Sequence, residues 1–289
     1  MHTSAVFAPA EDAHAPNTCQ SIVRTSRGDF LVQVAWPLKW NTDRTLPANE
    51  TAHQEISTMY STVVVGVGYP MPPAKAIYDF RRGPDLTPPS RNGEYDAPLG
   101  SDGKPRTDIS FGEADQFLEF IANDVKQYVE TILFPHVSLV ASGRRALLGH
   151  SYGGIFALNA LYTKPELWST VVAASADIEF NKGKLVSEQE TDFRAKTLVG
   201  PAPSLIITYG DEPQDLIRGP TESEADYQRR VAYAEESGTR DAAKKLVERF
   251  DGHPNLKAIA VREFPGEDHG SAAVTGFQHG VVEFLTRGF

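Results

Sequence analysis

Apolar positions change their spacing several times along this chain, and each change marks an element. Two short alternating runs, Gln20–Thr25 and Phe30–Trp36, flank Arg27-Gly28-Asp29 and predict an antiparallel hairpin. Thr62-Val63-Val64-Val65-Gly66-Val67 is a nearly continuous β-branched run, which predicts a strand buried on both faces, as in a parallel sheet. Between Glu113 and Leu133, the residues Phe117, Ile121, Val125, Tyr128 and Ile132 recur at steps of three and four. That spacing predicts an amphipathic helix with all five on one stripe.

Beyond this helix the pattern alternates strand with helix. Strand 145–148 leads through a glycine-rich turn into a helix reaching Tyr162, and strand Thr170–Ala174 follows. A polar insert covers 178–200, and strand Ser204–Tyr209 ends in Gly210-Asp211-Glu212. A charged helical region spans 221–249 with a break expected near Gly238, then strand Leu256–Phe264 and a last helix, Ala272–Leu285. Such alternation implies an α/β fold, with a mostly parallel sheet covered by helices on both faces and antiparallel strands at the N-terminal end. Residues 1–18 read as a flexible lead-in and 19–289 as a single domain. Residues 69–112, rich in Pro, Gly, Asp and Arg, are too long for a plain connection and are expected to be either a functional loop or disordered.

Composition narrows the partners. The chain has 289 residues, 28 basic and 38 acidic, for a net charge of −10. That balance argues against nucleic acid or an anionic membrane surface as a partner. No segment approaches the roughly 18 consecutive apolar residues of a membrane span. The single cysteine, Cys19, and an N-terminus without a basic, apolar leader point to a reducing compartment, so a cytoplasmic location is expected. No histidine–carboxylate cluster has ligand spacing, so neither a metal nor another cofactor is expected.

The chemistry is concentrated in Gly149-His150-Ser151-Tyr152-Gly153, a G-x-S-x-G pentapeptide between an apolar strand and a run of helix formers. Strand, sharp turn and helix are what a nucleophile elbow requires, and they make Ser151 the candidate nucleophile. A serine hydroxyl needs a base, and in this chain order the base lies in the loop after the last strand. His269 sits there. His2, His14 and His53 precede the core, His136 follows a helix, His253 lies in a turn and His279 is inside the last helix. The side chain of His150 is expected to point away on the tight turn. The acid should end the strand between nucleophile and base, which favours Asp211, with Glu212 and Asp215 as alternatives. Glu267 or Asp268 would instead orient His269 locally. The backbone N–H of Tyr152 is the expected oxyanion donor.

These motifs carry a family resemblance. Gly149-His150-Ser151-Tyr152-Gly153-Gly154 together with Pro265-Gly266-Glu267-Asp268-His269-Gly270-Ser271 resembles the esterase D-like α/β-hydrolases. Val64–Pro70, Arg82–Pro88 and Ala114–Phe120 extend the likeness over roughly residues 20–289. Within that group the chain is most similar to siderophore esterases, which cleave ester-linked ferric siderophores of the enterobactin or triacetylfusarinine type. The resemblance implies an α/β-hydrolase fold and a serine esterase acting through an acyl-enzyme on a small-molecule ester, with iron arriving only as the substrate's cargo. It makes Arg82 the favoured substrate-binding residue of the long loop, which also carries Arg81, Arg91, Lys104 and Arg106. A guanidinium fork suits oxygen-rich iron-binding groups. The alternative is that these cations pair with nearby aspartates. A general carboxylesterase and a silent hydrolase-fold protein are the competing functions. One departure stands out: before the VVVGVG strand, where the family has a core strand, an Asp-Gly turn and a helix, residues 46–61 have neither, so one core strand is expected to be missing.

Overall fold

The computed structural model describes residues 5–45, 62–70, 80–96, 107, 109–137, 139, 144–211, 218, 223–225, 227–228, 231 and 239–289. It divides into two compact units, Met1–Phe80 with Gln116–Arg144, and Arg81–Asp115 with Arg145–Phe289.

The first unit is built on an antiparallel sheet. Strands β3 (Thr18–Thr25) and β4 (Gly28–Ala35) form the expected hairpin in the register Thr18↔Ala35 to Thr25↔Gly28. The N-terminal residues expected to be mobile instead supply β1 (Val6–Phe7) and β2 (Glu11–Asp12), both antiparallel to β3. Backbone groups along β3 find partners there, which is what orders the lead-in. Alternation puts Cys19, Ser21 and Val23 of β3 and Phe30, Val32 and Val34 of β4 on the buried face.

That face meets helix α2 (Ala114–Glu119) and its continuation. From the N-terminal side, α1 is the short helix Arg82–Leu86 of the second unit. Phe30 stacks on Phe117 and Phe120 at 5.5 and 4.7 Å, and Phe7 stacks on Tyr128 at 4.0 Å. The Tyr128 hydroxyl shares a 2.9 Å hydrogen bond with Ser21. Trp36 and Trp40, both buried, meet the Phe134 ring edge-on. The long helix departs from the expected stripe because Phe120–Val125 and Tyr128–Leu133 are wound in wider i→i+5 turns. Phe117, Val125 and Tyr128 of the expected stripe are buried, while Phe120 and Leu133, each five residues from one of them, join the buried set and Ile132 is left 64% exposed.

Strand β5 (Val64–Gly68) corrects another expectation. It pairs antiparallel with β4, Val34↔Val65, and Val64 is 58% exposed. It is an end strand of its sheet among the described residues, and the exposure of Val64 and Val65 shows that its β-branched run is not buried on both faces. The segment 46–61, where a core strand was expected to be missing, lies outside the described residues.

The second unit is a four-stranded parallel sheet in the order β6 (Ala146–His150), β7 (Thr170–Ala174), β8 (Ser204–Gly210), β9 (Ala258–Phe264). Period-two alternation sorts its side chains. Leu147, Val171, Ala173, Leu205, Ile207 and Tyr209 pack with helices α3 (Tyr152–Thr163) and α6 (Thr239–Phe250). Val172, Ala174 and Thr208 face helix α7 (Ala272–Arg287), as the atoms nearest Gly276 and Gly280 show. Helices therefore cover both faces, and the fold is of the α/β-hydrolase type, with a parallel sheet and an antiparallel one. The break expected near Gly238 lies outside the described residues.

The insert read as polar is largely helical: α4 (Phe180–Leu185), broken by left-handed backbone at Asn181, Lys182 and Gly183, a wide turn at Val186–Glu190 and α5 (Thr191–Ala195). It buries Phe180, Leu185 and Phe193, and Glu190 is 1% exposed. Burying that carboxylate is possible because Arg249 donates to it through Nε and, at 2.8 Å, through Nη2. Among the described residues no helix is long and apolar enough to cross a membrane.

The contact between α7 and β7 is testable. A Cβ on Gly280 would lie 2.7 Å from both Cγ1 and Cγ2 of the buried Val172, so rotating Val172 exchanges one clash for another. Gly280→Val is expected to cost about 2 kcal/mol through overpacking, read as a lower urea midpoint at unchanged m-value. An unchanged midpoint would mean that α7 does not lie against β7 this closely.

Candidate active site

The turn after β6 is set by steric limits. Ser151 has φ 58° and ψ −121°, a left-handed backbone that is uncommon for a residue with a side chain. A Cβ on Gly149 would run into the carbonyl of Gly153, and one on Gly154 would come 2.8 Å from Ala176 Cβ and 3.0 Å from Ala174 O. Gly153 has open space around it, so the two glycines the turn needs are Gly149 and Gly154. The Ser151 N–H donates to Ala174 O at 3.0 Å, while Ser151 O accepts from Gly154 N at 2.8 Å and Ile155 N at 3.1 Å. The serine thus sits at the C-terminal end of the sheet and the N-terminal end of α3, where the helix dipole favours negative charge. Tyr152 opens α3, and its ring begins a row with Phe180, Phe111 and Tyr95 at successive spacings of 5.7, 5.7 and 5.6 Å.

His269 follows β9 in a loop fixed at several backbone points. Gly266, at φ 78°, turns the chain. Its N–H donates to Asp211 Oδ1 at 2.6 Å, and the Asp211 N–H donates to Phe264 O at 3.2 Å. A Cβ on Gly210 would strike the Glu267 carbonyl, so the end of β8 and this loop touch backbone to backbone. Asp268 Oδ1 accepts the Ser271 N–H at 2.7 Å, and Ser271 Oγ accepts the Asp268 N–H at 3.0 Å. This reciprocal pair starts α7, and the Ser271 N–H holds the Asp268 carboxyl below its usual pKa.

His150, whose side chain was expected to point away on the tight turn, instead reaches into this loop. Its Nε2 lies 2.6 Å from His269 O, and the two rings are 4.7 Å apart between centroids at 49°. A carbonyl can only accept, so Nε2 of His150 carries the proton. Alternation along β6 marks only which face His150 is on: it is in register with Ala174, on the face that meets α7, and His269 lies three residues before α7 begins. Both imidazoles titrate below the ordinary histidine value. For His269 the cause is burial first and then the charge of His150, opposed by Asp268. For His150 it is burial, opposed by the bond to His269 O, with a further lowering from the positive charge of Arg82.

The structure therefore brings His150, His269 and Arg82 into one electrostatic neighbourhood beside the Ser151 turn. Ser151 and His269 make no hydrogen bond to each other among the described residues, and neither do Asp211 and His269. Arg82 is half-buried in α1 and makes no ion pair among the described residues, whereas Arg91 is spent on Asp192 at 2.6 Å. Glu212, Asp215, Lys104 and Arg106 lie outside the described residues. Asp211 holds the loop through Gly266, and an asparagine oxygen would accept the same N–H. Asp211→Asn is therefore expected to keep kcat on a small ester within about fivefold, while Asp211→Ala, which leaves the Gly266 N–H without this acceptor, is expected to lose about tenfold or more. An Asn variant as slow as the Ala variant would instead mark the carboxylate charge as the active feature.

Comparison with known proteins identifies the family. The family model described as "Putative esterase" matches residues 88–247. The siderophore enterobactin esterase of Emericella nidulans is 33% identical over 96% of this chain and 96% of its own. The siderophore triacetylfusarinine C esterase of Aspergillus fumigatus is 32% identical over 93% of this chain and 94% of its own. Among solved structures, the siderophore hydrolase EstA from Aspergillus nidulans superposes with a TM-score of 0.77 at 30% identity, covering 96% of this chain and 97% of that one. A strand–turn–helix at Ser151, a parallel sheet that carries it and relatives matched nearly end to end lead to one conclusion: the chain belongs to the esterase family and is a carboxylic ester hydrolase.

Proposed function

We propose that this protein is a serine esterase that hydrolyses the ester bonds of a siderophore, of the triacetylfusarinine or enterobactin type, through an acyl-enzyme on Ser151. The observation that carries the reading is the Ser151 turn itself: a hydroxyl on a left-handed residue between a parallel strand and the N-terminus of a helix. The names of the relatives support the substrate class.

In this reading His269 takes the Ser151 proton as Oγ attacks the ester carbonyl. The carbonyl oxygen becomes an oxyanion that accepts the Tyr152 N–H, at the end of α3 where the dipole favours it. Collapse of the tetrahedral intermediate breaks the ester C–O bond, and His269 returns its proton to the leaving alkoxide. Water then attacks the acyl carbon with His269 again as base, the bond from that carbon to Ser151 Oγ breaks as His269 returns its proton to Oγ, and the acid product departs. Arg82 binds the oxygen-rich iron-binding groups of the substrate, and its standing as a half-buried residue without an ion pair among the described residues supports that role. Iron enters only with the substrate. The single cysteine, Cys19, a buried thiol, supports a cytoplasmic setting.

A fluorophosphonate probe is expected to label wild type at Ser151, and Ser151→Ala to abolish hydrolysis of a p-nitrophenyl ester while circular dichroism stays unchanged. Labelling at a different serine would reject the nucleophile. The base must be neutral to act, and His269 is held below the ordinary imidazole pKa by burial, so its neutral form persists to lower pH. Activity is lost only as pH falls through that lowered value, and the acid limb of kcat/KM is expected below about pH 6.5. A limb at or above neutrality would contradict the assignment. Finally, Arg82→Ala is expected to slow a ferric siderophore ester about tenfold or more while leaving a small neutral ester near wild type. Equal loss on both would favour a general carboxylesterase.

A further inference from the structure

We infer that His150 is a positioning residue for the base: its Nε2–H holds the backbone carbonyl of His269 and fixes the base to the same strand end that presents the nucleophile. The inference rests on the serine-esterase reading of Ser151 and His269.

Side chains bind the loop carrying His269 at four backbone points. Asp211 accepts the Gly266 N–H, Asp268 accepts the Ser271 N–H, Ser271 Oγ accepts the Asp268 N–H, and His150 donates to the carbonyl of His269 itself. The two carboxylates act two or three residues away from the base, and both are occupied by backbone donors. The bond from His150 is the one made to the base residue. At 2.6 Å it is short, and it joins positions 119 apart in sequence. The rings also lie 4.7 Å apart, so His150 limits where the His269 imidazole can swing.

The anchor is rigid. His150 is the last residue of β6, in register with Ala174 of β7, and the residue after it is Ser151. Ser151 N–H is bonded to the same Ala174. Nucleophile and base are thus referenced to one strand terminus rather than to two independent loops. A group held this way keeps its approach distance, and an error of about 1 Å in such a distance costs on the order of a hundredfold in rate.

Two substitutions separate the hydrogen bond from the ring. His150→Phe keeps a ring of similar size without a donor, and His150→Gln keeps an N–H at similar reach without a ring. The readouts are kcat and KM on a p-nitrophenyl ester, the rate of fluorophosphonate labelling at Ser151, and thermal unfolding. His150→Phe is expected to lose about ten- to a hundredfold in kcat and in labelling rate with KM within about twofold. His150→Gln is expected to recover to within about fivefold of wild type. Gln no faster than Phe, or Phe at the wild-type rate, would overturn the inference. If His150→Phe does not fold, His150→Asn, whose amide is too short to reach His269 O, replaces it, and Asn equal to Gln overturns the inference. Failure of wild type to label at Ser151 would overturn the serine-esterase reading and this inference with it, whereas a labelled wild type with an unaffected Phe variant overturns this inference alone.

Discussion

The backbone of Ser151 is the constraint on which the second unit is organised. A residue with a side chain held at φ 58° costs on the order of 1–3 kcal/mol, and it persists only where its surroundings over-determine it. Here they do. Three hydrogen bonds fix its N–H and carbonyl, Gly149 and Gly154 remove the atoms that would collide, and β7 supplies the acceptor at Ala174. The next strand end repeats the device: Ser175, at φ 43°, donates its N–H to Thr208 O at 2.7 Å. Each strand end is pinned by its neighbour, so the elbow inherits its stiffness from the register of the whole parallel sheet.

Much of this was legible in the sequence because it depends on local pattern. The G-x-S-x-G turn, the strands at 170–174 and 204–209, and a histidine after the last strand are set by residue type and order alone, and the structure has them where the pattern put them. What was not legible depends on partners distant in sequence. Alternation marks His150 as facing one side of β6, but not that the His269 loop is what it meets. The run at 62–67 is apolar enough for a buried strand, yet burial is decided by neighbours, and β5 has one on its β4 side only among the described residues. The helix from Glu113 carries the right residues at the right average spacing. Its wider turns moved Ile132 out and Leu133 in.

The long basic loop shows how charge reads differently in one dimension and in three. Arg91 could be scored only against aspartates nearby in sequence, whereas its partner is Asp192, and its backbone N–H donates to Glu188 at 2.8 Å. Gln189 reaches Pro89 O, and Asn181 bonds both Asp96 N and Glu94 O. The insert at 178–200, read as merely polar, is therefore the surface on which residues 88–96 are laid down. Its acids and amides belong to the loop as much as to the helices that carry them.

The division into units has a consequence for the chain as a line. The backbone passes between them at Phe80/Arg81, Asp115/Gln116 and Arg144/Arg145, so each unit is assembled from two separated stretches. No single scission isolates either one. The elbow strand β6 emerges only one residue after the last of these crossings, and the helix α2 begins two residues before the second. A ribosome releasing this chain completes the hairpin sheet's strands long before any part of the parallel sheet exists, then returns to the first unit before starting the second in earnest. Synthesis order and spatial grouping are interleaved, and the reactive turn is made only after the chain has left the first unit for good.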